Sequence, residues 1–126
     1  MKIQKIYVAG LLTPRGVWSS NLAIDHLINQ RKMIRQALDV FFAGFDPFVP
    51  AFDRQFWMVM RDDERITEAM IKRYSKTWLE ACDAMLLTPG WKKSDGTRQE
   101  IEHALKKGIP VFKNLKELKR VAKKRG

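Results

Sequence analysis

Short apolar runs alternate with longer segments of helical period along this chain, and this alternation constrains the fold more than any other feature. The runs have the length of buried strands, and glycine, proline or polar residues bound them. They cover residues 2–12, 45–49, 83–89 and 108–112. Strands that alternate with helices form parallel sheets through crossover connections. The sequence therefore predicts an α/β domain with a parallel sheet.

Four segments have helical features. Asn29 is a suitable N-cap for a helix that reaches about Ala43 and ends at Gly44. Thr67 is a suitable N-cap for the second helix, the third ends near Lys107, and a basic fourth helix begins at about residue 114. The residues expected to face the core are Met33, Ile34, Ala37, Leu38, Phe41 and Phe42 in the first helix, Met70, Ile71, Tyr74, Trp78 and Leu79 in the second, and Ile101, Ala104 and Leu105 in the third.

Length and composition indicate one globular domain over residues 1–126. Apolar residues make up 45% of the chain and charged residues 30%, as in ordinary globular proteins. No segment approaches the ~20 apolar residues of a membrane-spanning helix, so we expect no membrane partner. The single cysteine, Cys82, excludes an intrachain disulfide and favours a reducing compartment, so we expect a cytoplasmic protein.

The net charge of +10 is concentrated toward the C-terminus. Lysine and arginine crowd the segment from residue 113 onward. A solvated last helix explains this pattern, because cations suit the negative end of a helix dipole. Nucleic-acid binding is the less favoured alternative, since the segment lacks interleaved aromatic residues that would stack on bases.

The segment 51–65 has no clean period, although it is rich in aromatic residues and methionine. It is either a hydrophobic loop packed on the core or a lid or subunit interface, where such residues are enriched. The sequence does not choose between these interpretations.

Two loops are expected to meet at the carboxyl ends of the strands, where open parallel sheets bind ligands. The first runs from Gly10 to Gly16 and contains Arg15. The second follows the strand at 83–89 and combines glycines, a tryptophan, cations and hydroxyl groups over residues 90–100. No metal-ligand cluster, dinucleotide fingerprint or P-loop is present, and we expect no cofactor. His26 and His103 are isolated in the sequence and are expected on helix surfaces.

Glu100 has two interpretations. The spacing of Thr97 and Glu100 fits a capping box, in which Thr97 caps a helix and Glu100 folds back onto the Thr97 amide. On spacing alone this structural role is the better supported one. A catalytic role requires the carboxylate to point across the strand ends toward a bound substrate.

Several motifs resemble those of the nucleoside 2-deoxyribosyltransferase-like superfamily, in the same order and over roughly residues 3–116. The superfamily also includes 2′-deoxynucleoside 5′-phosphate N-hydrolases and related CMP hydrolases. The chain resembles a small branch of it. The matching motifs are KIYVAG at 5–10, Asn29 with the helix that ends at Gly44, PFVP at 47–50, WLEACD at 78–83, PGW at 89–91, SDGTRQE at 94–100 and GIPV at 108–111.

This resemblance implies a flavodoxin-like three-layer sandwich with a four- or five-stranded parallel sheet. It also implies cleavage of the N-glycosidic bond of a nucleoside or nucleotide, by hydrolysis or by deoxyribosyl transfer. Glu100 corresponds to the nucleophile and Tyr7 to a tyrosine near the sugar, while relatives complete their sites in homodimers or larger homo-oligomers. The candidate substrate-binding residues are Gly10, Arg15, Trp91, Ser94, Gly96 and Thr97. Lys92 and Lys93 are further phosphate partners by charge.

The chain departs from the family pattern at two positions. Ser75 stands where relatives carry an acidic or amide side chain that assists the leaving base, and Ala51 stands where they often have histidine. Asp53, Asp62 or Asp63 are possible substitutes for the acid, whereas Asp83 is expected to be structural. A nucleotide-binding module without turnover is therefore the alternative function.

Overall fold

The computed structural model describes residues 2–11 and 22–125, without the side chains of residues 22, 23, 51, 53 and 54. The strands form one four-stranded, all-parallel sheet in the order β2-β1-β3-β4, which confirms the predicted fold class. The elements are β1 (Lys5–Ala9), α1 (Leu22–Phe42), β2 (Asp46–Phe48), α2 (Phe56–Val59), α3 (Glu68–Glu80), β3 (Ala84–Leu87), α4 (Asp95–Lys106), β4 (Val111–Phe112) and α5 (Leu115–Arg125), with 3-10 turns at Pro50–Gln55 and Trp91–Lys93.

The helices cover both faces of the sheet, which gives three layers and a flavodoxin-like arrangement. Alternate residues of β1 point to opposite faces. Ile6 and Val8 pack in one core with α1 and α5, whereas Tyr7 and Ala9 pack in the other core with α3 and α4. Because β1 and β3 are covered on both sides, their sequences are nearly uninterrupted apolar runs.

Helix α1 begins at Leu22, so the prediction that Asn29 caps it is wrong. The sheet selects a narrower stripe than predicted, formed by Met33, Ala37 and Val40. The predicted core residues of α1 that are instead exposed are Leu38, Phe41 and Phe42. The predicted stripe spanned both flanks of the helix, and only one flank meets the sheet. Gly44 ends the helix as predicted, with φ of 96° and Schellman-type hydrogen bonds around it.

Helix α3 begins as predicted, because the Thr67 hydroxyl accepts a hydrogen bond from the Met70 amide at 3.2 Å. Leu79 is buried and Trp78 stacks on Phe48 of β2 although it is partly exposed, whereas Met70 is exposed, so its assignment to the inner face is wrong. Leu105 of α4 is also exposed, contrary to prediction. Met70 and Leu105 lie at the margins of their stripes, where none of the described elements buries them.

The segment 51–65 forms the 3-10 turn, helix α2 and the chain that follows them. Its large apolar side chains are exposed rather than packed on the core, including Val59 at 78% and Met58 at 77%. The interpretation as a loop packed on the core is therefore wrong for these residues. The interpretation as a lid or interface stays a prediction.

Helix α5 begins after Asn114, whose side chain accepts a hydrogen bond from the Glu117 amide at 2.8 Å. Leu118 is buried against the sheet, and the lysine and arginine side chains of the helix are exposed. This arrangement agrees with a solvated basic face. Across residues 2–11 and 22–125, no helix has both the length and the apolar character that a membrane span requires.

Candidate active site

The candidate site lies where the carboxyl end of β1 meets the first two turns of α4. Tyr7 is fully buried on the face of β1 that is covered by α3 and α4. In the sheet it pairs with Phe48 of β2 on one side and Met85 of β3 on the other. The register of the central strands therefore fixes its backbone.

Ser94, not Thr97, caps helix α4. The Ser94 hydroxyl accepts a hydrogen bond from the Thr97 amide at 3.1 Å, and the helix starts at Asp95. Serine and threonine are both good caps, and the helix uses the earlier one. The capping box of Thr97 and Glu100 is therefore wrong, since the Thr97 amide already has a partner within the first turn.

Glu100 instead meets the tyrosine on β1. The Tyr7 hydroxyl donates a short hydrogen bond to Glu100 Oε2. The tyrosine is fully buried and Glu100 is half-buried, so the carboxylate is held at the boundary between core and solvent. A phenol that donates to a carboxylate stabilises the anion and restricts its rotation. The structure thus brings together the two residues predicted as catalytic.

A second contact joins the same two segments. The Thr97 hydroxyl donates to the Gly10 carbonyl oxygen at 3.1 Å, and Thr97 is 1% exposed. Gly10 itself lies against the end of β3. A Cβ at this position would be 2.8 Å from Thr88 Cβ, which is closer than real side chains approach. Glycine at residue 10 therefore allows the strand end to pack closely.

A row of aromatic rings extends from Tyr7 away from Glu100. Phe48 stacks on Tyr7 with ring centroids 5.9 Å apart and on Trp78 with centroids 4.8 Å apart. Tyr74 contacts Phe48, Trp78 and Phe56, and the Phe56 and Trp78 rings are exposed. The row therefore runs from the buried tyrosine to the protein surface.

Of the other predicted binding residues, the structure places Trp91 in the loop before α4 and Gly96 in the helix itself. Trp91 packs partly against the core on the α3 and α4 side, with Lys92 Nζ 5.9 Å from its ring centroid. Gly96 is exposed in the first turn of α4. Arg15 lies outside the described residues, so the structure does not place it.

The residues considered as the acid for the leaving base lie in different surroundings. Asp83 Oδ2 accepts hydrogen bonds from the Gln4 and Lys5 amides, which confirms its structural role. Ser75 is half-buried on α3, and Asp62 and Asp63 are exposed. The Asp53 side chain is outside the described part of the structure. None of these residues is therefore assigned as the acid that protonates the leaving base.

Other reactive groups lie apart from Glu100. His103 is half-buried, and its Nε2 lies 3.4 Å from Glu80 Oε1, so its expected place on the helix surface is only partly correct. Burial raises the pKa of the Cys82 thiol to about 11, which makes this cysteine a poor nucleophile near neutral pH. Among the described residues, no group of His, Cys, Asp and Glu side chains could hold a metal ion.

Sequence reasoning missed the aromatic row and the bond between Thr97 and Gly10. Phe48, Tyr74 and Trp78 belong to separate elements, and only the strand pairing and helix packing bring them together. The sequence contained one sign of the Thr97 bond. Ser94 and Thr97 are both cap-forming residues and only one of them can cap the helix, so the hydroxyl group of the other is left for a different partner.

A protein-family model described as a domain of unknown function (DUF4406) matches residues 4–113, and the chain belongs to that family. The match includes the whole sheet and helices α1 to α4. No curated protein matches the chain. The family description gives no activity, so the function is argued from the site.

The close packing of Gly10 generates a stability prediction. Gly10→Ala should lower the free energy of unfolding by about 1–3 kcal/mol, because the new methyl group collides with Thr88. Gly96→Ala is the matched control and should not destabilise the protein. A Cβ at Gly96 would be 3.9 Å from its nearest neighbour, and alanine is favoured over glycine within a helix by up to about 1 kcal/mol. Urea unfolding measures both. A Gly10→Ala protein as stable as the wild type contradicts this packing.

Proposed function

We propose that this protein cleaves the N-glycosidic bond of a nucleoside or nucleoside 5′-monophosphate, with Glu100 as the nucleophile. The observation that carries the proposal is the hydrogen bond from Tyr7 to the half-buried Glu100 carboxylate at the carboxyl edge of a parallel sheet. The resemblance to nucleoside 2-deoxyribosyltransferase-like enzymes supplies the reaction class. The structure supports the assignment by removing the capping role that competed for Glu100.

The chemistry suits a held carboxylate. A Glu100 oxygen attacks the anomeric carbon, the bond from that carbon to the base nitrogen breaks, and the base leaves with the bonding electrons and takes up a proton. The glycosyl ester that results is the intermediate of retaining glycosidases. Water then breaks the ester and gives the free sugar, or a second base takes the sugar. Tyr7 orients the carboxylate through its hydroxyl.

A 5′-monophosphate is the form of substrate that we favour. Lys92 and Lys93 are exposed in the loop that leads into α4, and Ser94 and Gly96 lie at the start of this helix. Cations beside a helix start attract phosphate groups.

The proposal predicts base release that depends on the Glu100 carboxylate. The protein is incubated with a panel of nucleosides and their 5′-monophosphates, and free base is measured by chromatography. Glu100→Gln should lower turnover by several orders of magnitude with little change in melting temperature, because the amide keeps the size and loses the anion. Glu102→Gln is the control, since Glu102 is exposed on the same helix.

The outcomes separate the candidate functions. Near-normal base release by Glu100→Gln refutes the mechanism. Binding of a nucleotide without base release by the wild type favours the alternative, a nucleotide-binding module, which the serine at position 75 also permits. Faster turnover of nucleosides than of their monophosphates contradicts only the preference for a phosphorylated substrate and leaves the proposed mechanism intact.

We also propose that the protein forms a homodimer or larger homo-oligomer through the surface around α2. Phe56, Met58 and Val59 are exposed close together there, and contiguous exposed apolar side chains mark interaction surfaces. Light scattering should show an oligomer at about tens of micromolar. Val59→Asp should shift the protein toward monomer, whereas Leu105→Asp, which adds the same charge at an exposed leucine on α4, should not. A wild-type monomer at this concentration contradicts the proposal.

A further inference from the structure

We infer that Thr97 is a positioning residue, which holds Glu100 in place through its bond to Gly10. The inference rests on the proposed function for its catalytic consequence, but its structural part can be tested without any turnover. Thr97 and Ala104 are the buried residues of α4, and Thr97 alone of the two carries a hydroxyl. A buried hydroxyl group requires a hydrogen-bond partner, and the Gly10 carbonyl oxygen supplies it at 3.1 Å.

Two hydrogen bonds connect the same two segments. On β1 and the residues that follow it, the bonded groups belong to Tyr7 and Gly10; on α4 they belong to Glu100 and Thr97. Residues three apart on a helix lie on nearly the same side, separated by about 4.5 Å along the axis. The first turn of α4 is thus attached at Thr97, and Glu100 is presented to Tyr7 one turn later.

A pair of attachments restricts more than either one. With the Tyr7 bond alone, α4 could rotate or slide while the long tyrosine and glutamate side chains adjusted. The Thr97 hydroxyl is attached at Cβ, next to the helix backbone, so its bond to the Gly10 carbonyl oxygen restricts the rotation of the first turn. Because Gly10 has no Cβ, this residue and its accepting carbonyl can lie close to Thr88 at the end of β3.

Glu100 therefore depends on Thr97 for its placement, although Thr97 carries none of the proposed chemistry. Loss of the Thr97 hydroxyl frees α4 to shift against β1. A displacement of about 1 Å in a catalytic group lowers turnover by up to ~100-fold. The expected loss lies in kcat rather than KM, because the Thr97 side chain is buried and its hydroxyl is bonded to Gly10 rather than offered to a substrate.

The test observes Tyr7 directly. The chain contains two tyrosines, Tyr7 and Tyr74, so protein labelled with carbon-13 at tyrosine Cζ gives two signals that Tyr7→Phe assigns. Glu100→Ala removes this acceptor and marks the signal of a Tyr7 that lacks the bond to Glu100. Thr97→Val, which keeps the shape and loses the hydroxyl, should move the Tyr7 signal toward that mark. Thr97→Ser, which keeps the hydroxyl, should leave the signal near its wild-type position.

A matched control separates this effect from a general loss of a threonine hydroxyl. Thr77 on α3 donates to the Arg73 carbonyl oxygen at 2.9 Å and is exposed. Thr77→Val should leave the Tyr7 signal unchanged. If Thr97→Val does not fold, Thr97→Ala lacks the same hydroxyl at smaller volume and replaces it in the comparison.

The results distinguish this inference from the proposed function. A Tyr7 signal that stays at its wild-type position in both Thr97→Val and Thr97→Ala overturns the inference. If the signal moves and the wild type releases base, kcat should fall about 10- to 100-fold in Thr97→Val and be rescued by Thr97→Ser. If the signal moves but the wild type releases no base from any substrate, the positioning contact stands and the proposed chemistry fails.

Discussion

Strand β1 is hydrogen-bonded along both edges and covered on both faces, and the rest of the structure is arranged around it. Its residues contribute to both cores, so a change in its register would move apolar side chains in two layers at once. The carboxyl end of this strand is consequently a rigid platform. Tyr7 and Gly10 are fixed by it, and through them helix α4 and Glu100 are fixed as well.

The sequence predicted the elements that depend on local patterns. The parallel sheet follows from apolar runs that alternate with helical segments, and the ends of helices α1 and α3 follow from Gly44 and Thr67. Predictions failed where tertiary packing chooses between locally equivalent options. Ser94 and Thr97 are both suitable caps in isolation; Ser94 caps the helix, and the Thr97 hydroxyl bonds to Gly10, far away in the sequence. The same holds for α1, where the sheet buries Val40 and leaves Phe41 exposed.

The candidate site shows a similar division. The resemblance identified Tyr7 and Glu100 as partners in one site, and the structure joins them by a hydrogen bond. The structure does not supply an acid for the leaving base, since Ser75 occupies the position on α3 where the family pattern has an acidic or amide side chain. The aromatic row beside Tyr7 depends on contacts between β2, α2 and α3, which no single segment of sequence encodes.

The proposed covalent bond between Glu100 and the sugar can be trapped on the protein. A nucleoside 5′-monophosphate with fluorine at the sugar 2′ position slows both steps, because fluorine disfavours the positive charge that develops at the anomeric carbon in each. Base released from this analogue then shows that the first step has occurred, and slow hydrolysis lets the ester accumulate. Mass spectrometry of the incubated protein should show the added mass of the fluorinated sugar phosphate, and peptide mapping should place it on Glu100. Release of base from the fluorinated analogue without an adduct, or with the adduct on another residue, would show that Glu100 is not the nucleophile.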